Sequence, residues 1–418
     1  MNEQLLIIGA SYAGLQLAAS ARELGFEGRI DLLGDESYAP YQRPPLSKGY
    51  LSGAFTSERL PLKSNAFFED QRIDLTRGAR VTAIDRGSKT VELNDGSRRG
   101  YDFLGIATGA RPRMLNCPGA AHEAVLYLRN LDDASRLVAR MQDTQSAVVV
   151  GGGYIGLEVA ASLRQKGIDV TVIEAQKNLL ARVASASLAS FVEGLHSEKG
   201  VSIQLGRTIS EIRDDHGRAR VTLNDGTTLT ADLVVVGIGV EPNTELAQGC
   251  GLEVQGGILV DSFTRTSDSS IVAVGDCAAF VPYWDLQEGR PCRIESVQNA
   301  NDMAKAAAAF IVGKPHPYHS VPWFWSDQYD VKLQMAGISS GHTDFAISGS
   351  VSDAKFSLFY FRDGKLCAVD SVNSPQDHMM ARKMLAQGAE LGVKHVEHPG
   401  FSLKEYAKSH PHDGAGAI

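Results

Sequence analysis

Ala147 to Glu174 reads AVVVGGGYIGLEVAASLRQKGIDVTVIE, with Gly151, Gly153 and Gly156 in the spacing that lets backbone approach a pyrophosphate. Gly151 makes the tight turn from strand to helix, Gly153 leaves room for the diphosphate, and Gly156 lets the helix pack close on the strand. A diphosphate at this turn lies on the positive end of the helix. Glu174, 18 residues after Gly156, is placed to accept hydrogen bonds from a ribose hydroxyl pair. A 2′-phosphate there meets a like charge, a repulsion of roughly 1–4 kcal/mol, so the site favours NADH over NADPH.

The elements that position these groups follow from the pattern. Ala147 to Val150 reads as a buried strand, Ile155 to Lys166 as an amphipathic helix, and a β-branched strand ends at Glu174. The chain start repeats the theme: Gln4 to Ile8 is a strand, Gly9-Ala-Ser11-Tyr-Ala-Gly14 opens a helix to about Leu24, and Arg29 to Leu33 is a strand. Ser11 stands at the central glycine position, so this turn reads as a second dinucleotide site or as a structural turn alone. A longer repeat supports the first option. VELNDGSRRGYDFLGIATGARP from Val91 parallels VTLNDGTTLTADLVVVGIGVEP from Val221, each with an Asp-Gly hairpin and an apolar strand. The strands end in Ala107-Thr108-Gly109 and Gly237-Ile238-Gly239. Such a unit is a nucleotide domain with a small β-meander inserted before its last strand. Ile271 to Val274 is a further strand, and Asp276 after it suits either a polyol such as ribitol or an N-cap. Residues 299–313 form an alanine-rich helix. The last domain has strands at Lys332 to Ile338, Phe345 to Val351 and Phe356 to Asp370, the last folded at Asp363-Gly364, then a helix near Asp377 to Gly388.

The expected fold is α/β, with two Rossmann-like nucleotide-binding domains and a C-terminal α+β domain. Residues 1–109 with 240–320 form one nucleotide domain, 110–239 the other, 321–410 the last, and 411–418 a flexible tail. With 43% apolar and 22% charged residues, the composition is that of an ordinary soluble protein. No run of 18 apolar residues occurs, so no membrane span is expected. The N-terminus lacks the basic and apolar regions of a secretory signal, and cytoplasmic location is expected. Cys117, Cys250, Cys277, Cys292 and Cys367 are scattered without a CxxC pair, which fits a reducing compartment. A net charge of −8 gives no support for nucleic-acid binding. No metal site is expected.

With these pieces in place, the chain resembles the FAD-containing ferredoxin reductases of bacterial oxygenase systems, which share the glutathione-reductase-like architecture. Four matches carry the resemblance: Tyr41-Gln-Arg43-Pro-Pro-Leu-Ser-Lys48, GGGYIGLEVAA, AVGDCA followed by Arg293-Ile-Glu295-Ser-Val297, and Pro322-Trp-Phe-Trp325-Ser-Asp-Gln-Tyr329. It implies FAD along the first fold, its pyrophosphate over Gly9, Ser11, Tyr12, Ala13 and Gly14 and its adenosine ribose near Glu36. Arg43 and Arg129 would supply charge to the phosphates, Asp276 would bind ribitol, and Trp325 would lie beside the isoalloxazine. Val81, Ala107, Thr108, Gly109, Glu295 and Val297 complete that implied site. Around the other turn the resemblance implies NAD(H) contacts from Tyr154, Ile155, Arg182, Ile238 and Gly239. Lys48 and Glu158 match a lysine–glutamate pair beside flavin N5. Either they tune hydride arrival there, the lysine favouring negative charge on reduced flavin, or they form a structural salt bridge alone.

Disulfide reductases of this architecture carry a cysteine pair beside the flavin, whereas the corresponding segment here, YQRPPLSK, has no sulfur. The expected exit is therefore single electrons to a carrier, implied to be an acidic [2Fe–2S] ferredoxin serving a cytochrome P450 or Rieske-type oxygenase. Lys63, Lys305 and Lys404 fall where the family places basic docking residues, and each is equally readable as a solvated lysine. The alternatives are an NADH oxidase, a rubredoxin or quinone reductase, or a non-catalytic NADH-sensing flavoprotein. Monomer and homodimer are both compatible with the sequence.

Overall fold

The computed structural model describes residues 3–282 and 289–410, so the expected tail at 411–418 lies outside the described residues. The chain divides into two compact units. One consists of Met1–Gln42, Ser57–Arg111 and Val240–Pro322; the other consists of Arg43–Thr56, Pro112–Gly239 and Trp323–Ile418.

The first unit is built on a five-stranded parallel sheet, in the spatial order Ile271–Ala273, Phe103–Ile106, Gln4–Ile8, Arg29–Leu33, Ile73–Thr76. Its central strand is apolar from Leu5 to Ile8, with Leu5, Leu6 and Ile7 fully buried, as a parallel sheet covered on its faces requires. The helices Tyr12–Glu23 and Val297–Ile311 pack against each other through small residues, among them Ala18, Ala21, Ala304 and Ala307. The second of these helices begins two residues before its expected start, because Ser296 caps it and accepts from the Asn299 N–H at 3.1 Å. The meander Val81–Asp85, Thr90–Leu93, Arg98–Gly100 is inserted before the Phe103–Ile106 strand.

The second unit contains a sheet of the same plan: Val125–Tyr127, Leu233–Val236, Ser146–Val150, Asp169–Glu174, Ser202–Leu205. Its meander, Ile209–Asp215, Arg218–Leu223, Thr228–Ala231, again precedes the strand next to the centre. The two Asp-Gly turns match as well, with Gly96 and Gly226 at φ 81° and 87°. The repeat read from the sequence is thus a repeat of topology.

The C-terminal part of this unit is a five-stranded antiparallel sheet in the order Trp323–Gln328, Val331–Gly337, Lys365–Val372, Lys355–Arg362, Asp344–Ser350. The helix Pro375–Gln387 packs on it. The edge strand Trp323–Gln328 and the short helices Val393–Val396 and Leu403–Ser409 are additions to the expected elements. Three consecutive aromatics, a serine and an acid in WFWSDQ give no clean alternation, and pairing with the Val331–Gly337 strand makes it a strand.

Inside this sheet Tyr360 Oη lies 2.8 Å from Asp370 Oδ2 and 2.9 Å from Ser185 Oγ. Burial pushes the Asp370 carboxyl up to about 7 from 3.8, against the Tyr360 hydrogen bond. A carboxyl whose folded pKa is raised stabilises the protein least once ionised. Stability is therefore lost as pH rises from about 4 through about 7, by an amount on the order of 4 kcal/mol. Asp370→Asn keeps an acceptor for Tyr360 and cannot ionise. Its denaturation midpoint, close to the parent's near pH 4, should exceed it increasingly up to about pH 8, as thermal melts across that range would show.

Candidate active site

Both glycine turns are built by the same backbone contacts. Gly9 and Gly151 have φ 112° and 108°, and each donates its N–H at 2.8 Å to the end of the next strand, at Leu33 and Ile173. A Cβ at Gly9 would lie 2.1 Å from the Ala107 oxygen, and one at Gly151 2.4 Å from the Gly237 oxygen. A Cβ at Gly14 or Gly156 would lie 1.9 or 2.1 Å from the oxygen of Gly9 or Gly151. These four positions are closed to any side chain by sterics alone.

The middle position behaves differently. A Cβ at Gly153 would meet nothing within 4 Å, and Gly153 has φ −82°, so the protein itself does not demand glycine there. Ser11, in the matching place, sits at φ −128°, ordinary extended backbone. Serine is compatible here for that reason. Neither the Tyr12–Glu23 helix nor the Tyr154–Gln165 helix has a side-chain cap, which leaves first-turn N–H groups without an intrahelical partner for a ligand anion.

The acids after the second strands are held in different ways. Glu174 Oε2 accepts from the Gly152 N–H at 2.6 Å and Oε1 from the Gln176 N–H at 2.7 Å, so the carboxylate is fixed to the turn and keeps lone pairs to offer. In the first unit the residue at that register is Gly34, and the acid comes at Glu36, which accepts from Tyr41 Oη at 2.6 Å. Arg182 lies against Gly239, beyond the Leu233–Val236 strand: a Cβ there would be 3.1 Å from its guanidinium. Ile155 is exposed beside the turn, and the Tyr154 ring meets Phe324 edge-on at 4.9 Å.

Other residues implied as flavin contacts in the first unit include Ala107-Thr108-Gly109, which follow the Phe103–Ile106 strand. Thr108 Oγ1 donates to the Asn243 oxygen at 2.7 Å, and Asn243 Nδ2 returns a bond to the Thr108 oxygen at 2.8 Å. Tyr12 and Ala13 open the helix after the first turn, and Gly275 lies against Ala13. Asp276 lies within the short turn Gly275–Cys277, whose N-cap is Val274 with no capping side chain, so the capping reading of Asp276 does not hold. Its backbone oxygen accepts from Arg293 Nη1 at 2.9 Å, and Arg293 also pairs with Glu295 at 2.8 Å. Val297 begins the Val297–Ile311 helix, and Val81 is buried at the start of the meander. Arg43 Nη1 donates to the Arg129 oxygen at 3.0 Å in the second unit, where Trp325 also lies, its ring 5.8 Å from that of Trp323. Lys63 sits 4.6 Å over the Phe67 ring, Lys305 pairs with Asp302 at 3.1 Å, and Lys404 is exposed on the Leu403–Ser409 helix.

Lys48 and Glu158 do meet. Lys48 Nζ lies 2.7 Å from Glu158 Oε2, the lysine side chain 18% exposed and the glutamate 4%. The pair is tied further than its two members. Ser47 Oγ donates to Glu158 Oε2 at 2.5 Å and Ser326 Oγ to Oε1 at 2.6 Å, so both carboxylate oxygens are satisfied. Ser162 Oγ donates to the Ser47 oxygen at 3.0 Å and steadies that segment on the same helix. A carboxylate this buried is stable only with such donors.

Comparison with known proteins decides the family. Residues 3–304 match the pyridine nucleotide-disulphide oxidoreductase family, and residues 323–407 match the reductase C-terminal domain. Rhodocoxin reductase of Rhodococcus erythropolis is 47% identical over 96% of this chain and 93% of its own. Putidaredoxin reductase of Pseudomonas putida is 41% identical over 97% of this chain and 96% of its own. The chain belongs to the ferredoxin reductases of this family. Among solved structures, the ferredoxin reductase of a Rhodopseudomonas palustris system superposes with a TM-score of 0.94 at 43% identity, covering 97% of this chain and 100% of that one. A covalent putidaredoxin reductase–putidaredoxin complex gives 0.94 at 38% identity, covering 98% and 99%.

As a member of this family the reductase uses a flavin and a nicotinamide nucleotide. The open space at Gly153 and the two uncapped helix starts fit dinucleotides. Sequence reasoning missed the serines around Glu158. Ser47 adjoins Lys48 in a motif already singled out, whereas Ser326 carries no local mark. The two kinds of glycine can be separated. Gly151→Ala should cost about 1–3 kcal/mol of stability from backbone strain alone, and more from the clash with Gly237. Gly153→Ala should melt with the parent yet bind NADH about tenfold more weakly, measured by calorimetric titration beside thermal melts.

Proposed function

We propose that the resident flavin is FAD, that the donor is NADH, and that the acceptor is a [2Fe–2S] ferredoxin of an oxygenase system, the whole working in the cytoplasm. The net reaction takes one NADH and two oxidised ferredoxins to NAD⁺, two reduced ferredoxins and a proton. A flavin supplies the step that proteins lack, accepting a hydride and releasing electrons singly. The observation that carries the reading is the buried Lys48–Glu158 pair, with Lys48 in a segment, Tyr41–Lys48, that has no cysteine. With no thiol pair in that segment to take two electrons, single-electron delivery to a carrier is the exit this reading assigns.

The chain's own groups have separable tasks. The glycine turns hold diphosphates on helix N-termini. Glu174, fixed by Gly152 and Gln176, offers its remaining lone pairs to the ribose hydroxyls and repels a 2′-phosphate. Lys48 supplies positive charge to the reduced flavin, and Glu158 holds its ammonium in place with two serines filling the other carboxylate positions. Lys63, Lys305 and Lys404 contribute positive charge for an acidic ferredoxin.

In a stopped-flow experiment Lys48→Met should retain FAD and slow bleaching by NADH at least tenfold; an unchanged rate would leave the pair a structural bridge. Replacing Lys63, Lys305 and Lys404 together by glutamine should lower ferredoxin turnover and flatten its dependence on ionic strength, with reduction by NADH unaltered. Steady-state assays across a salt series read this directly.

A further inference from the structure

A chain of hydrogen bonds runs on from Glu158 through buried side chains. Ser326, which donates to Glu158 Oε1, receives Gln328 Nε2 at 3.2 Å. Gln328 Oε1 faces His196 Nε2 at 2.9 Å, and His196 Nδ1 faces Tyr329 Oη at 3.4 Å. Ser326, Gln328 and His196 are fully buried. Burial lowers the His196 pKa, so the ring carries one proton, and burial pushes the Tyr329 phenol up to about 12, so it keeps its proton and is able to donate. The carboxylate end orders the links. The Glu158 carboxylate only accepts, so Ser326 gives it the hydroxyl proton and accepts in turn from Gln328 Nε2. Gln328 Oε1 then faces His196 as an acceptor, which calls for the ring proton on Nε2 and leaves Nδ1 to accept from Tyr329.

Tyr329 supports this reading from a second direction. It occupies the two-residue turn between the strands Trp323–Gln328 and Val331–Gly337 at φ 57°, a left-handed conformation that bulky residues avoid. The strained position sets its ring 5.1 Å from that of His196. An asparagine or glycine would suit the turn better and would not reach the imidazole.

We propose that His196 is a positioning residue for flavin reduction, which through Gln328 and Ser326 keeps a hydroxyl proton on Glu158 Oε1. The proposal rests on the role given to Lys48 and Glu158 above. Without the Nε2–H the Gln328 amide turns over, its oxygen takes the Ser326 proton, and Glu158 loses one of the three donors that hold it square to Lys48.

The test uses the FAD-loaded protein. With ¹⁵N-histidine labelling, NMR should show His196 as the neutral Nε2–H tautomer from about pH 6 to 8; an Nδ1–H or a charged ring overturns the proposal. His196→Leu should slow NADH bleaching about tenfold while leaving NADH affinity within twofold. His196→Gln, whose amide N–H can replace Nε2–H, should restore most of the rate, and Ser326→Ala should match the leucine variant. Should His196→Leu not fold, the tautomer and Ser326→Ala still decide. A slow Lys48→Met beside an unaltered His196→Leu and Ser326→Ala sinks this inference alone; an unaltered Lys48→Met sinks the reading beneath it.

Discussion

The burial of one carboxylate, Glu158, ties three separate stretches of the second unit together. Glu158 projects from the first turns of the helix whose start is the nucleotide-binding turn, and 4% exposure leaves it almost no water. Its two oxygens must be supplied with donors by the protein. They come from Ser47 and Lys48 in one stretch of chain and from Ser326 in another, so both segments are drawn onto the helix. The same demand places the edge strand of the C-terminal sheet against the nucleotide domain, where Phe324 also meets Tyr154. A group placed for chemistry thus doubles as a clasp between parts of one unit.

The two nucleotide folds show which features of such a turn are structural and which belong to the ligand. Gly9 and Gly151 have matching φ, matching strand-end hydrogen bonds and a matching close approach to a carbonyl on the adjacent strand. Those are conditions for the chain to make the turn at all. The middle residue is serine in one copy and glycine in the other, because nothing in the protein occupies the space beside it. The acids diverge too: Glu174 is bound to its own turn, while Glu36 lies two residues later and is bound by Tyr41.

Legibility tracked the range of the interactions. The strand, turn and helix of each nucleotide fold depend on residues within about thirty positions, and both folds could be read with ends accurate to a residue or two. The meanders were readable from Asp-Gly turns between alternating strands. The Trp323–Gln328 strand was not, since its pattern is set by a partner strand and by the polar cluster beneath it. The Lys48–Glu158 pair could be named only through a family resemblance. Its residues stand 110 positions apart, and no local pattern links them.

The sequence by itself determined the two dinucleotide turns, the duplicated topology and the lack of a thiol pair, because glycine sterics, hydrophobic period and side-chain chemistry are local properties. Only the tertiary structure decided how Glu158 is satisfied and that Tyr329, His196, Gln328 and Ser326 lie in hydrogen-bonding succession toward it. Each of those side chains is unremarkable in its own stretch of chain. Burial removes water as an alternative partner for Ser326, Gln328 and His196, so these three must satisfy one another.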